Sequence, residues 1–354
     1  MGNSKIRILK DLVLNSLLNK KYDLSYIVES ADWSIKLDGK YITENLNKLK
    51  LLKAKITTTN LDLRKQIVHF GSLNTFLTNR GFRKSHRSNK IIVTCFHIVP
   101  NDPRLKFIKG AVKYVDFFHT PSNITKQKLI KLGVPKEKII VISLGVDLSL
   151  FKPVSLGKKI KIKKELNLPL DQLIVGSFQK DGVGWGEGLQ PKLIKGPDIF
   201  VKVISQLKKY NPFVLLTGPA RGYVKKKLDK INVPYRHVYL ENFLDIAKYY
   251  NILDLYLITS RVEGGPKQIL ESWASGIPVV STRVGMVTDI AKDKKNILLT
   301  GSKNINQIAN KATEIIENPT LRDRLVAKGL EAAPNYSWDK ISVRYFKEIY
   351  QRLL

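Results

Sequence analysis

Short β-branched runs alternate with helical patterns along this chain, and the series starts over past its middle. The first series reads "LSYIVE" at 24–29, "AKITTT" at 54–59, "QIVHF" at 66–70, "KIIVTCF" at 90–96, "VDFFHT" at 115–120 and "KIIVIS" at 138–143. Helical stretches separate several of these runs. In "NITKQKLIKLG" at 123–133, Ser122 or Asn123 caps the start and Gly133 ends the helix. Strands separated by helices pair in parallel through right-handed crossovers. The second series runs "DQLIVGSF" at 171–178, the helix "GPDIFVKVISQLKKY" at 196–210 with Pro197 in its first turn, "PFVLLTG" at 212–218, "HVYLE" at 237–241, "LDLYLIT" at 253–259 and "IPVVST" at 277–282. Two consecutive Rossmann-like units in an α/β chain are the simplest reading. The break is expected in the basic stretch 151–164, which holds Pro153 and Gly157.

The length of 354 residues suits this division, at roughly 150 residues per domain. The expected boundaries are a first domain over 1–155, a second over 156–335 and a terminal helix over 336–354 that packs back towards the first. In that helix Tyr345 and Tyr350 form an aromatic stripe read as core. Cys95 is the single cysteine, so no intrachain disulfide is possible and a reducing compartment fits. No apolar run approaches the ~20 residues of a membrane span. The start does not read as a clean signal peptide, because Asp11 and Asn15 interrupt its apolar run. It reads as an amphipathic helix with Ile6, Leu9, Val13 and Leu17 on one face, either packed on the domain or laid on a membrane surface.

The net charge of +31, from 61 basic and 30 acidic residues, points to an anionic neighbour. Between 46 and 90 stand eleven basic residues, Arg83, Lys84 and Arg87 among them, opposed only by Asp62. These three are the candidates to face an anionic membrane.

In so basic a chain, the stretch "ITSRVEGGPKQILESWASGIPVVST" at 258–282 places Glu263 and Glu271 eight positions apart. Glu263 lies just past a strand, on the edge where open α/β sheets bind ligands. Gly264 and Gly265 let backbone approach a ligand closely. A helix from about 266 to 275, with Pro266 in first position and Gly276 as the stop, then aims free N–H groups and a positive dipole end at that edge, an arrangement suited to phosphate. Glu271, one and a half turns in, reaches a polyol beyond the phosphate, since a carboxylate accepts from two vicinal hydroxyls. The bland alternative is an ordinary strand–loop–helix with Glu263 as a surface acid.

"EGGPKQILESWASGIPVVST" resembles the E-x7-E signature of the family-4 retaining glycosyltransferases, which have the GT-B fold of two Rossmann-like domains facing across a cleft. "KLGVPKEKIIVISLGVDLSLFKP" at 131–153, "IVGSFQKDG" with the later "KLIKGPDIF", "IPVVSTRVGMVTDIA", "IVTCFHIVPND" and "YSWDKIS" resemble further family segments in the same order. The likeness is strong from about 90 to 354 and weak before. It implies that Glu263 contacts the donor sugar near the reacting face and that Glu271 binds the donor ribose. It implies that Gly264 and Gly265 give N–H groups to the diphosphate, that Lys195 neutralises the leaving nucleotide, and that His97 sits near the sugar.

The departures are specific. The resemblance puts Gly176 among the donor-binding residues; the arginine usual soon after it is missing, and Lys180 is its candidate replacement. Lys267 stands where many members are apolar; it touches a phosphate or an acidic sugar, or pairs with Glu271 at i,i+4. The usual glycine-rich loop of the first domain is replaced by "ESADWSIKLDGKYI", leaving Asp32, Trp33 and Gly39 as acceptor-loop candidates. The glycine-studded stretch 181–192 is a flexible loop or a flap. Cys95 and His97 lack partners at metal-ligand spacing, and His69 either edges the cleft or ends a strand. No D-x-D occurs, so lysines and helix N-termini are expected to carry the phosphate charge, without metal or cofactor.

The expectation is a metal-independent transferase that moves a sugar from a nucleotide-diphosphate sugar to a glycan or lipid-linked acceptor. Its expected setting is cell-surface polysaccharide or glycolipid synthesis, in the cytoplasm and peripheral at the inner face of the membrane. A sugar phosphorylase or nucleotide-sugar epimerase on the same fold is the rival reading. A basic nucleic-acid-binding protein is another, but the chain lacks the aromatic-interleaved basic strands of stacking modules, and no nucleic-acid partner is expected.

Overall fold

The computed structural model describes residues 2–18, 21–30, 34–301 and 304–354. They form two compact units. One joins Met1–Gly145 to Ser337–Leu354; the other is Val146–Tyr336. The stretch 151–164 is mostly the helix Leu156–Glu165, capped by Ser155 and anchored by buried Ile162, while the division between units falls after Gly145 and again after Tyr336.

The first unit is built on a six-stranded parallel sheet in the order β2-β1-β3-β6-β7-β8. Its strands are β1 (Leu24–Ile27), β2 (Ala54–Thr57), β3 (Ile67–Phe70), β6 (Lys90–Thr94), β7 (Phe117–Thr120) and β8 (Ile139–Val141). A two-residue antiparallel hairpin, β4 (Leu77–Thr78) and β5 (Gly81–Phe82), stands apart. All six sheet strands fall inside the runs expected from sequence. Their inner residues, including Val68, Phe70, Ile92, Val93 and Phe118, are wholly buried, as strands covered by helices on both faces require. The helix Asn123–Lys131 is capped by Ser122, whose side chain accepts from the Thr125 amide, and Gly133 follows it at φ 88°.

His69 neither edges a cleft nor ends its strand. It lies within β3, fully buried, with Nδ1 2.8 Å from Tyr350 Oη and Nε2 2.8 Å from Thr94 Oγ1. Thr94 Oγ1 is 2.9 Å from Nδ1 of buried His119, and Tyr345 Oη is 3.0 Å from His119 Nε2. Tyr345 in the terminal helix Trp338–Glu348 and Tyr350 in the 3-10 turn Tyr350–Leu353 that follows it are therefore core, and they tie this terminal segment to β7 and β3.

The second unit carries a six-stranded parallel sheet in the order β11-β10-β9-β12-β13-β14. The strands are β9 (Leu173–Phe178), β10 (Pro212–Thr217), β11 (Tyr235–Val238), β12 (Leu255–Ile258), β13 (Val279–Thr282) and β14 (Leu298–Thr300). Counted along the chain this is the 3-2-1-4-5-6 order of a doubly wound sheet, whose switch point lies between β9 and β12. Helix Pro197–Gln206 buries Phe200, Val203 and Ile204 against Val175, Val214 and Leu216, each large apolar side chain contributing about 1.5–3 kcal/mol.

Candidate active site

The switch point brings the carboxyl ends of β9 and β12 side by side, and most of the residues singled out in the second unit gather there. After β12 the chain turns through Thr259 and Ser260 to Glu263. The segment before helix Pro197–Gln206 is pressed against that turn: Gly196 has φ 67°, and a Cβ there would stand 1.9 Å from the Thr259 carbonyl oxygen. Glycine is the residue that permits this approach. The same segment presents Lys195. Its Nζ donates to both carboxylate oxygens of Glu263 at 2.7 Å, and Ser260 Oγ donates to Glu263 Oε1 at 2.9 Å. The Arg261 and Val262 amides donate to the Ile194 carbonyl at 2.8 and 3.0 Å, and Arg261 grips Asp198 with two bonds of 2.7 Å. The loop that holds Glu263 is thus braced to the segment that holds Lys195.

Two more lysines converge on the pair. Lys192 lies one turn before Lys195. Burial lowers its pKa first, and the charges of Lys195 and Lys180 lower it further, with Glu263 opposing. Burial also lowers the pKa of Lys180, whose Nζ stands 3.8 Å from the centre of the Trp185 ring. Three neighbouring cations beside one carboxylate make a site that favours an anion.

Gly264 and Gly265 come next. The Met286 amide donates to the Gly264 carbonyl at 2.8 Å, and Gly285 packs so tightly there that a Cβ would stand 2.3 Å from that carbonyl oxygen. Among the described residues, no backbone carbonyl accepts from the Gly264 or Gly265 amide. The following helix is Gln268–Ala274, shorter than the expected 266–275. Pro266 lies before it, and Lys267 occupies the cap position without a side-chain cap bond. Glu271 falls in its first turn, buried, with Oε2 accepting from Tyr250 Oη at 2.6 Å. Burial, then the Glu271 charge, raises the Tyr250 pKa well above its ordinary value, so this tyrosine stays a donor.

The remaining candidates are placed differently. Gly176 is not at the ligand edge: it sits mid-strand in β9, paired with Leu215 and Tyr256, where a Cβ would stand 2.4 Å from Leu253 Cδ1. It is glycine because Leu253 fills the space. Gly39 is not in a loop either. It lies within the helix Ser34–Lys48, where a Cβ would stand 2.8 Å from Tyr26 Cδ1, so it serves helix–strand packing. Asp32 and Trp33 lie outside the described residues. His97 follows β6 in the first unit, half-buried, and Arg83, Lys84 and Arg87 are exposed in the segment before β6.

The stretch 181–192 is braced along its length. Gly182 bridges Pro191, the Val183 amide donates to the Gln190 carbonyl at 2.9 Å, and Gly182 and Gly188 press on the Ala220 carbonyl. At its base the fully buried Asp181 and Arg221 pair at 3.0 Å. Arg221 also donates to the carbonyls of Ser177, Gln179 and Thr217 at 2.6, 2.8 and 2.9 Å. The arginine of this region therefore turns inward and fixes the backbone that carries Lys180. Lys192, Tyr250, Ser260 and Arg221 escape sequence reasoning; the i,i+3 spacing of Lys192 and Lys195 was the one available signal.

Comparison with known proteins gives two family matches. The family described as Glycosyl transferases group 1 matches residues 189–332, and Glycosyltransferase Family 4 matches residues 31–150. The chain is 30% identical over 162 residues to an uncharacterized glycosyltransferase of Methanocaldococcus jannaschii, covering 45% of each chain. It is 26% identical over 250 residues to the N,N'-diacetylbacillosaminyl-diphospho-undecaprenol alpha-1,3-N-acetylgalactosaminyltransferase of Campylobacter jejuni, covering 70% of this chain and 63% of that one. The chain spans about half the length of the first curated relatives it matches. Among solved structures, Anabaena HepE in complex with UDP and glucose superposes with a TM-score of 0.74 at 15% identity, covering 93% of this chain and 99% of that one. At that identity the likeness speaks for the fold, a GT-B glycosyltransferase fold.

Proposed function

The chain belongs to the family-4 glycosyltransferases of the GT-B fold, and on that premise we propose that it transfers a sugar, with retention, from a nucleotide-diphosphate sugar to a glycan or lipid-linked acceptor. The observation that carries this reading is the Lys195–Glu263 pair at the switch point, with Lys180 and Lys192 beside it. The UDP and glucose bound by the HepE protein support a nucleoside-diphosphate donor, and the diphospho-undecaprenol named for the Campylobacter relative supports a lipid-linked acceptor.

In this reading the lysines and the Gly264 and Gly265 amides hold the diphosphate. The bond between the sugar C1 and the phosphate oxygen breaks with its electron pair leaving on the oxygen. Lys195 takes up that growing negative charge, an interaction stronger in the transition state than in the ground state. The acceptor hydroxyl forms the new C1–O bond on the face the phosphate leaves, and its proton passes to the departing phosphate oxygen. Glu263 orients Lys195 and contacts the sugar; Glu271, fixed by Tyr250, binds the ribose hydroxyls. His97 is assigned to the sugar side, and Asp32 and Trp33 to the acceptor side.

The test is a thermal-shift screen of nucleotide sugars, followed by release of nucleoside diphosphate in the presence of polyprenyl-diphosphate-linked sugars. One donor is expected to stabilise selectively, by RT ln(1 + [L]/Kd). Nucleoside diphosphate release is expected to depend on acceptor and to persist in EDTA, because the phosphate partners are lysines. Release restored only by Mg²⁺ or Mn²⁺ overturns the metal-free mechanism, and stabilisation by no nucleotide sugar overturns the donor reading.

A further inference from the structure

The N-terminal helix Gly2–Leu18 is mounted on the first unit by its polar side. Arg7, Asp11 and Asn15, spaced at i,i+4, all point inward. Arg7 donates to the Ser30 carbonyl at 3.0 Å, and Asp11 accepts from the Thr58 amide and hydroxyl at 2.8 and 2.6 Å. Asn15, 1% exposed, donates to the carbonyls of Thr59 and Leu61 at 3.1 and 3.2 Å and accepts from Lys55 at 2.8 Å. These bonds fix the rotation of the helix about its axis. They leave the opposite stripe facing out: Ile6 is 67% exposed, Leu9 62%, Val13 51% and Leu17 74%. A helix on a water-soluble domain ordinarily turns such a stripe inward. Asp11 and Asn15, the two polar residues that break the apolar run in the sequence, dock the helix together with Arg7.

Exposed basic residues stand on the helix and in a segment beside its docking loop. Lys5 and Lys10 are exposed on the helix itself. Leu61, next to the Asn15 anchor, is exposed, and its neighbour Asn60 donates to the Lys84 carbonyl at 2.8 Å. That bond puts the segment bearing exposed Arg83, Lys84 and Arg87 against the loop the helix covers. We propose that this helix lies flat on an anionic bilayer, with Ile6, Leu9, Val13 and Leu17 in the headgroup–acyl boundary and these lysines and arginines on acidic headgroups. A second copy of the chain fits the face poorly, since each copy brings the same basic residues and a net charge of +31. No helix among the described residues is long and apolar enough to cross a membrane, so the contact is an interfacial one. The proposal stands apart from the sugar-transfer reading: donor binding and vesicle binding are measured separately.

The test is co-sedimentation of the full chain with vesicles of phosphatidylcholine alone or with 30% phosphatidylglycerol. Cys95 is fully buried, so V13C can be labelled selectively with an environment-sensitive dye. Binding is expected to acidic vesicles, with a blue shift of the dye, and to fall about fivefold for each well-placed basic charge removed. It is expected to fade in high salt as the Debye length drops below ~8 Å. The L9S/V13S/L17S variant, altered only at exposed positions, is expected to lose at least about tenfold in vesicle affinity while its thermal shift with the donor stays unchanged. Equal binding to neutral and acidic vesicles, no binding to either, or a dye shift that follows protein concentration without lipid overturns the proposal, the last in favour of self-association.

Discussion

Lys195 and Glu263 meet in a two-pronged ion pair, with the ammonium nitrogen 2.7 Å from each carboxylate oxygen and Ser260 bonded to the same carboxylate. The pair joins two segments distant in sequence, one entering helix Pro197–Gln206 and one leaving β12. It holds a cation ready at the edge of the sheet where the leaving phosphate is assigned. Such a cation needs no reorganisation when charge develops.

Replacing Lys195 by alanine is therefore expected to lower kcat by about 10²–10³, the usual scale for loss of one preorganised donor to a developing anion. The same change leaves Glu263 buried beside Ser260 without its ammonium, so thermal stability should drop as well. Steady-state kinetics at saturating donor separate the effects. A loss confined to KM, with kcat intact, would falsify the leaving-group role.

Glu271 is expected to matter for donor affinity. Its carboxylate is held by Tyr250 rather than left to rotate, so it is poised before the ligand arrives. Glu271→Ala should weaken nucleoside-diphosphate binding by about 1.5–3 kcal/mol, the value of a charge-assisted hydrogen bond. Tyr250→Phe should weaken it less, because the carboxylate stays and only its orientation relaxes. Calorimetric titration of both variants checks the order, and unchanged affinity in a folded Glu271→Ala protein counts against the ribose contact.

The alternation of strand and helix patterns made the two parallel sheets legible, because strands buried on both faces read as short continuous apolar runs. The stretch from Glu263 to Glu271 was legible as a strand end followed by a glycine pair and a helix, because glycines and acids past a strand end leave a local trace. What stayed hidden depends on contacts between distant segments. Gly176 and Gly39 look alike to any sequence reader, yet Leu253 and Tyr26 explain both as packing positions. Lys192 gains its meaning from Lys180 and Lys195, and Asp181 from Arg221, forty positions on. Helix Gly2–Leu18 has a stripe that periodicity finds at once, but periodicity does not say which face is buried. Arg7, Asp11 and Asn15 decide that through partners at Ser30 and Thr58–Leu61.

The buried histidines of the first unit set an acid limit on its stability. Burial lowers the pKa of His119 to about 4 and that of His69 well below its ordinary value. In the unfolded chain both take up protons near pH 6.5. A histidine held neutral in the fold contributes stability that is present above pH 6.5 and is lost as pH falls towards 4. For His119 the full loss is on the order of 3 kcal/mol. Urea unfolding at pH 7.5 and pH 5 is expected to show a clear drop that shrinks in His119→Gln. Equal midpoints at the two pH values would contradict neutral buried histidines.

The lysine cluster predicts the alkaline limit of donor binding. Burial lowers the pKa of both Lys180 and Lys192, and for Lys192 the neighbouring cations lower it again. A lysine with a lowered pKa loses its charge earlier as pH rises. Affinity for a nucleoside diphosphate should therefore begin to fall below the ordinary lysine range near 10.4, with the diphosphate itself fully ionised throughout. Bound diphosphate supplies the missing counter-charge and favours the ammonium, so binding at alkaline pH should be accompanied by proton uptake. Calorimetry at pH 9 in two buffers of different ionisation enthalpy measures that uptake directly. Lys192→Met should weaken binding at pH 7.5 and reduce the uptake at pH 9. Proton release on binding, or the same uptake in Lys192→Met as in the parent, would show that Lys192 does not face the phosphates.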